Sequence, residues 1–157
     1  MDKVFSLGID LGTSNSAAAM SSEGEDSPSI CENTQILGSN LVGAHRTLAS
    51  ALYIPHATEF AAGAIQLPWS RDSEDQIIGN FARDHGAQVP ERLVTSAKSW
   101  LCNPHIDRKA ATLPWNSTIT ETRLSPFETS QRLLRHVKES VCYSASRENP
   151  DWNWESG

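Results

Sequence analysis

Residues 4 to 11 alternate: Phe5, Leu7, Ile9 and Leu11 fall on one face, Ser6, Gly8 and Asp10 on the other. That period of two predicts a strand with one side against a core. Ser16 to Met20, with its three alanines, predicts a second strand packed closely on a neighbour. Residues 21 to 28 read as a solvated hairpin tip, and Ser29 to Glu32 as a short third strand. Asn33 to Arg46 is polar, rich in Gly and Asn and weakly periodic, which predicts loop. Leu48 to Ile54 predicts a strand that Pro55 ends, and residues 56 to 76 look irregular.

Helical spacing takes over further on. Gly79 to Gln88 predicts a short helix. Pro90 suits a first helical turn, and Leu93, Val94, Ala97 and Leu101 are spaced as a helical face. A second helix is therefore expected from Pro90 to Leu101, stopped by Asn103-Pro104. Residues 106 to 124 read as loop with one or two short strands, anchored by Trp115 and Ile119. Ser125-Pro126-Phe127-Glu128 then carries a cap, a first-turn proline and the acid of a capping box. Phe127, Leu134, Val137 and Val141 are expected to mark the buried face of that helix, with Leu133 beside it, as far as Ser144. The tail from Arg147 to Gly157 is polar except for Trp152 and Trp154.

Composition narrows the function classes. A chain of 157 residues is one ordinary domain by length, and hydrophobic residues at 38% suffice for a core. The net charge of −6 comes with no basic cluster, which argues against a nucleic-acid or anionic-membrane surface. No apolar run reaches the ~20 residues of a membrane span, and the first strand begins too early for a signal peptide. Cys31, Cys102 and Cys142 are odd in number and far apart, so a reduced, cytoplasmic setting is the expectation. Cys102 and His105 have C-x-x-H spacing but no second ligand pair near them. Asn116-Ser117-Thr118 is a formal glycosylation sequon, idle in such a setting.

The chemistry is concentrated in Gly8-Ile-Asp-Leu-Gly-Thr-Ser-Asn-Ser16. An apolar strand runs into Gly12, which admits backbone geometry closed to other residues. Thr13, Ser14 and Asn15 then supply hydroxyls, an amide and free N–H groups, the material of an anion-binding concavity. Asp10 beside a phosphate site makes sense if Mg²⁺ lies between them, since Mg²⁺ is typically held by one or two carboxylates plus substrate phosphates. By residue type alone, the stretch fits an ordinary hairpin with Asp10 as a turn residue equally well. Lys98 lies between Val94 and Leu101 on the expected helix, at the edge of its apolar face. From there its ammonium can reach a cleft, or its stem can simply cover apolar surface.

Gly8 to Ser16 resembles the first phosphate motif of the actin-like ATPase superfamily, in the variant found in seventy-kilodalton heat-shock (DnaK-type) chaperones. Ile78 to Leu101, with Gly79, Ala82, Pro90 and Ala97-Lys98, resembles the family segment leading to the catalytic lysine, and Ser125–Glu128 resembles the family's Ser/Ala-Pro-x-Glu helix start. The resemblance implies an α/β fold with an α+β mixed sheet: an incomplete, ribonuclease-H-like first lobe of the nucleotide-binding domain. Residues 1–32 and 125–146 would give its core strands and helix, residues 33–124 an inserted small subdomain, and residues 147–157 a truncated tail. It also implies ATP or ADP with Mg²⁺ as cofactors. Asp10 would be the magnesium-side and catalytic aspartate, Gly12, Thr13, Ser14 and Asn15 the phosphate loop, and Lys98 the catalytic lysine.

By the same resemblance the intact protein would be a stress-response chaperone, an ATP hydrolase coupled to protein folding. Unfolded client polypeptides and co-chaperones would bind through parts beyond this chain. Residues 33 to 77 depart from the family in length and composition, and Trp100 and Cys102 stand where the family has other residues. No second Gly-rich loop appears in 17–157, and the chain stops where the next core strand is expected. The expectation for the piece itself is weak phosphate binding without turnover, with apolar surface left uncovered. Two other readings stay open: a fragment of another superfamily member such as a sugar kinase, and a non-catalytic interaction module.

Overall fold

The computed structural model describes residues 5–24, 26–70, 75–119 and 121–148. The opening alternation forms β1 (Phe5–Leu11), whose apolar residues are half-buried while Ser6, Gly8 and Asp10 are exposed. A tight turn returns the chain as β2 (Asn15–Ser22), antiparallel to β1 with Leu11 opposite Ser16 and Phe5 opposite Ser22. β3 (Ser29–Cys31) continues the sheet on the far side of β2. The alanine run packs as expected: Ala18 is buried, and Ile9 is its partner across the ladder.

Asn33 to Arg46 is a hairpin rather than a loop. It comprises β4 (Asn33–Gly38) and β5 (Leu41–His45), joined at Ser39-Asn40, where Asn40 adopts φ 58°. Asn is one of the few residues that visit this left-handed region readily. Polarity misled here because Asn33, Thr34 and Gln35 are buried, and Thr34 and Gln35 make tertiary hydrogen bonds. The next apolar run is split at Ser50 into β6 (Leu48–Ala49), which pairs with the start of β2, and β7 (Ala51–Tyr53). β7 is the centre of a third antiparallel sheet, flanked by β8 (Ile77–Ile78) and β9 (Leu93–Thr95).

The helix expected from Pro90 to Leu101 is three elements. Pro90–Arg92 is a single 3-10 turn, β9 follows, and α2 (Ala97–Leu101) comes last; α1 (Asn80–Gly86) precedes them. Leu93, Val94 and Thr95 pair with Tyr53, Leu52 and Ala51. This β-rich tripeptide fits a pleated surface, and sheet pairing overrides the helical spacing. Ser96 at φ 55° marks the break.

α3 (Pro126–Glu148) runs four residues beyond the expected end. Ser125 Oγ accepts the Glu128 N–H at 3.0 Å, as the cap sequence predicts. Its buried stripe contains Leu133, Val137 and Val141, but Phe127 and Leu134 are exposed. The phase is set by small polar residues, which share the buried side with the aliphatics: Thr129, Ser130, His136 and Ser140. Thr129 and Ser130 bond back to the Ser125 and Pro126 carbonyls at 2.9 and 2.8 Å, so their hydroxyls enter the interior already satisfied. Trp115 is also exposed, stacked on Trp100 rather than anchored in the core. The tail's Trp152 and Trp154 lie outside the described residues.

All strand pairs among the described residues are antiparallel. The molecule is a small mixed α/β domain of antiparallel sheets and a few helices. Two apolar clusters fill it. One joins Ala18, Leu48, Leu52, Val94, Leu133 and Val137 beneath the first sheet; the other gathers Ile36, Ala49, Tyr53, Ile65, Ile77 and Ala82.

Candidate functional site

The β1–β2 turn is built so that only glycine fits at its first position. A Cβ at Gly12 would collide with the Asn15 carbonyl oxygen. The requirement is close backbone approach and not a positive φ, which corrects the expectation of an unusual backbone angle there: glycines with positive φ are Gly24, Gly63 and Gly79. Gly8 on the exposed side of β1 leaves open space, with the nearest contact to an added Cβ at 3.8 Å.

Ser50 holds this turn from behind. Its Oγ donates to the Gly12 carbonyl at 2.8 Å, its N–H donates to the Ser14 carbonyl at 2.9 Å, and its Oγ lies 2.9 Å from Ser16 Oγ. Ser50 and Ser16 are both buried. In a trans peptide unit the C=O and N–H point in opposite directions. Tying the Gly12 and Ser14 carbonyls to Ser50 therefore turns the Thr13 and Asn15 N–H groups away from it. Among the described residues, the N–H groups of Thr13 and Ser14 have no protein acceptor. Thr13, Ser14 and Asn15 are exposed, and so is Asp10, five positions before Asn15 on the same hairpin. Ser50 was the residue that motif reading missed. Its one signal was a lone hydroxyl inside the apolar run Leu48-Ala-Ser-Ala-Leu-Tyr53.

Two tests bear on a phosphate with Mg²⁺. The turn is too tight for a Cβ at Gly12, and among the described residues the Thr13 and Ser14 N–H groups have no protein acceptor. Asp10 contributes a single carboxylate, and among the described residues no group of three or more His, Cys, Asp or Glu side chains converges. Mg²⁺ normally completes its octahedron with water and substrate phosphate rather than an all-protein cage.

Lys98 sits on α2, next to buried Ala97, and is exposed. Its stem is not laid along the core, contrary to the position expected from a continuous helix. Among the described residues it forms no ion pair, and no hydrogen bond joins it to Asp10 or to the turn. Asp10 and Gly12–Asn15 lie on one hairpin and Lys98 on α2, with no hydrogen bond or ion pair joining them among the described residues. α2 itself packs on α3.

A second polar constellation lies around β7. Tyr53 Oη donates to Glu59 Oε1 and Oε2 at 2.9 and 3.0 Å, His85 Nε2 lies 2.6 Å from Oε1, and the His56 N–H donates to Oε2 at 2.9 Å. Burial and the adjoining Glu59 push the Tyr53 hydroxyl up to about 12. Burial would raise Glu59, but the bonds from His85, His56 and Tyr53 outweigh it and hold its carboxyl below the usual range. Phe60 and Phe81 enclose the His85 ring edge, so the cluster reads as a structural clasp around β7.

No protein-family model matches the chain, and no curated protein sequence matches it. Among the described residues, no helix is long and apolar enough to cross a membrane.

Proposed function

We propose that this chain is the first-lobe portion of a heat-shock-type chaperone ATPase of the actin-like superfamily, and that it holds ATP phosphates and Mg²⁺ at the β1–β2 turn. The observation that carries the reading is the turn itself. Ser50 holds the carbonyls of Gly12 and Ser14, the N–H groups of Thr13 and Ser14 have no protein acceptors among the described residues, and Asp10 is exposed on the same hairpin. The first sheet has four antiparallel strands, β1, β2 and β3 consecutive in the chain with β6 added beside β2, and a long helix later in the chain packs on the same core; the consecutive three strands and the helix suit the superfamily's first lobe.

Phosphoryl transfer to water asks little covalent chemistry of a protein; it asks for positioning and charge stabilisation. Thr13–Asn15 would hold phosphate oxygens through backbone N–H and side-chain hydroxyl or amide groups. Asp10 would hold the cation, which offsets phosphate charge when bound. Lys98, free of ion pairs, would supply its ammonium to developing charge once the parts of the intact protein beyond these residues close on the nucleotide. Client polypeptides and co-chaperones would engage those same further parts.

The test is a ¹⁵N-resolved titration of the 157-residue chain with Mg-ATP and with ATP in excess EDTA. One wall of a cleft should bind weakly, with a dissociation constant on the order of 1 mM. The amides of Thr13, Ser14 and Asn15 should move first, and Asp10→Asn should erase the difference between the two titrations. Shifts that avoid residues 12–15, or that ignore Mg²⁺ in the unsubstituted chain, would sink the proposal.

A further inference from the structure

A cavity of about 730 Å³ opens between the 54–65 stretch and a wall of Ile119 and residues 121–124. Its volume lies in the range of small-molecule sites. Three arginines line it: Arg92, Arg123 and Arg132, with Asp75 and Glu121 also on the wall. Arg132 is committed, bonded to Glu128 at 2.7 Å and Gln76 at 2.6 Å. The other two bond only to main-chain carbonyls. Arg92 Nη1 donates to Ile54 O at 3.2 Å, and Arg123 Nη2 donates to Ser117 O. Among the described residues neither meets a carboxylate within ion-pair distance.

Two consecutive residues of the same wall carry unmatched donors. Thr122 Oγ1 and Arg123 Nε are buried and have no hydrogen-bond partner. Buried polar atoms are rarely left so; with Nη2 of Arg123 on the Ser117 carbonyl, its Nη1, like Nε, has no bond among the described residues. Apolar side chains complete the lining, with Ile54, Phe60, Ile65 and Leu124 among them.

The geometry points to a second ligand site: this cavity takes a small organic oxyanion, a carboxylate or a phosphate ester, on an apolar body. Arg92 and Arg123 meet the charge, and the aliphatic and aromatic wall covers the body. The site shares no residue with the β1–β2 turn and does not depend on the nucleotide reading.

Three probes of one size test it on the 157-residue chain: phenyl phosphate, benzoate and uncharged phenol, followed by calorimetry and by amide shifts. The anions should move Arg92, Glu121 and Thr122–Leu124 and bind at least tenfold more tightly than phenol. Whichever anion is tighter names the ligand as phosphate ester or carboxylate. Arg123→Gln should weaken the anions by about tenfold, the scale of one lost charge-assisted bond. Should that variant not fold, Arg92→Gln carries the same expectation. Glu121→Gln should tighten them by about twofold, as removing one exposed like charge does. Phenol binding as well as the anions, or anions that move only residues 12–15, overturns the site. Loss at 12–15 with the cavity response intact instead overturns the nucleotide reading alone.

Discussion

Ser50 links the apolar interior to the one stretch of sequence that announces chemistry. Its hydroxyl and its N–H hold two carbonyls of the turn, and Ser16 shares the hydroxyl from the other side. Ser50→Ala leaves the Gly12 carbonyl and the Ser16 hydroxyl short of a partner in a buried place, which costs about 1–3 kcal/mol. Urea denaturation should show that loss, and the Thr13 and Ser14 amides should lose their fixed orientation, read as averaged shifts and coupling constants. A loss under about 0.5 kcal/mol, the size of an ordinary surface change, would mean that the turn holds itself. The motif's residue types were legible in the sequence because their alternation is local: Asp10 opposite Ile9 and Leu11 follows from the pleat. The brace was not legible, because a serine 38 positions from Gly12 has no local pattern that ties it there.

At the scale of elements, β4 and α3 are joined by hydrogen bonds from both sides of one residue. Thr34 N–H donates to Ser140 Oγ at 2.6 Å, and His136 Nε2 donates to Thr34 O at 3.0 Å. Burial pushes the His136 imidazole down to about 4 from its ordinary 6.5, against the bond to Thr34, which raises it. The neutral ring is thus what the fold accepts. Above pH 6.5 folded and unfolded chains are both neutral at this site and the full stability is present. As pH falls from 6.5 toward 4 the unfolded chain takes up a proton that the folded one refuses, and stability drains away by about 3 kcal/mol at most. Denaturant midpoints between pH 7 and 4 should show this fall. His136→Gln, which keeps a donor for Thr34 O, should flatten it; an unchanged pH profile in that variant would assign the effect to other groups. This joint also explains what the pattern hid. Asn33, Thr34 and Gln35 look like loop because they are polar, yet all three are buried, and α3 and α1 bond to Thr34 and Gln35: Gln35 Oε1 accepts the Asn80 N–H at the start of α1 at 2.8 Å. The same interior polarity shifted the phase of α3, where Ser130, His136 and Ser140 take core positions while Phe127 and Leu134 face out. Where apolar residues alone set the phase, as in β1, the reading survives; where buried hydroxyls and amides set it, periodicity has no purchase.

Across the whole molecule, the run from Leu48 to Tyr53 is the wall between the two apolar clusters. Leu48 and Leu52 enter the cluster beneath the first sheet and α3, while Ala49, Ala51 and Tyr53 enter the cluster around α1. Ser50, between them, holds the turn. All six residues are buried, at 4% exposure or less. Two cores that share one backbone segment cannot open independently without stranding the strand between them, so the chain should unfold as one unit. Native-state hydrogen exchange checks this: the amides of Ile77 and Ala82 on one side should open with the same free energy as those of Val137 and Val141 on the other. Leu52→Ala, cutting the first cluster, should cost about 2–5 kcal/mol and lower both sets together. If only the Val137 side falls, the clusters are separate folding units. The turn would then answer to the first of them alone, through Leu48 and the pairing of β6 with Ser16.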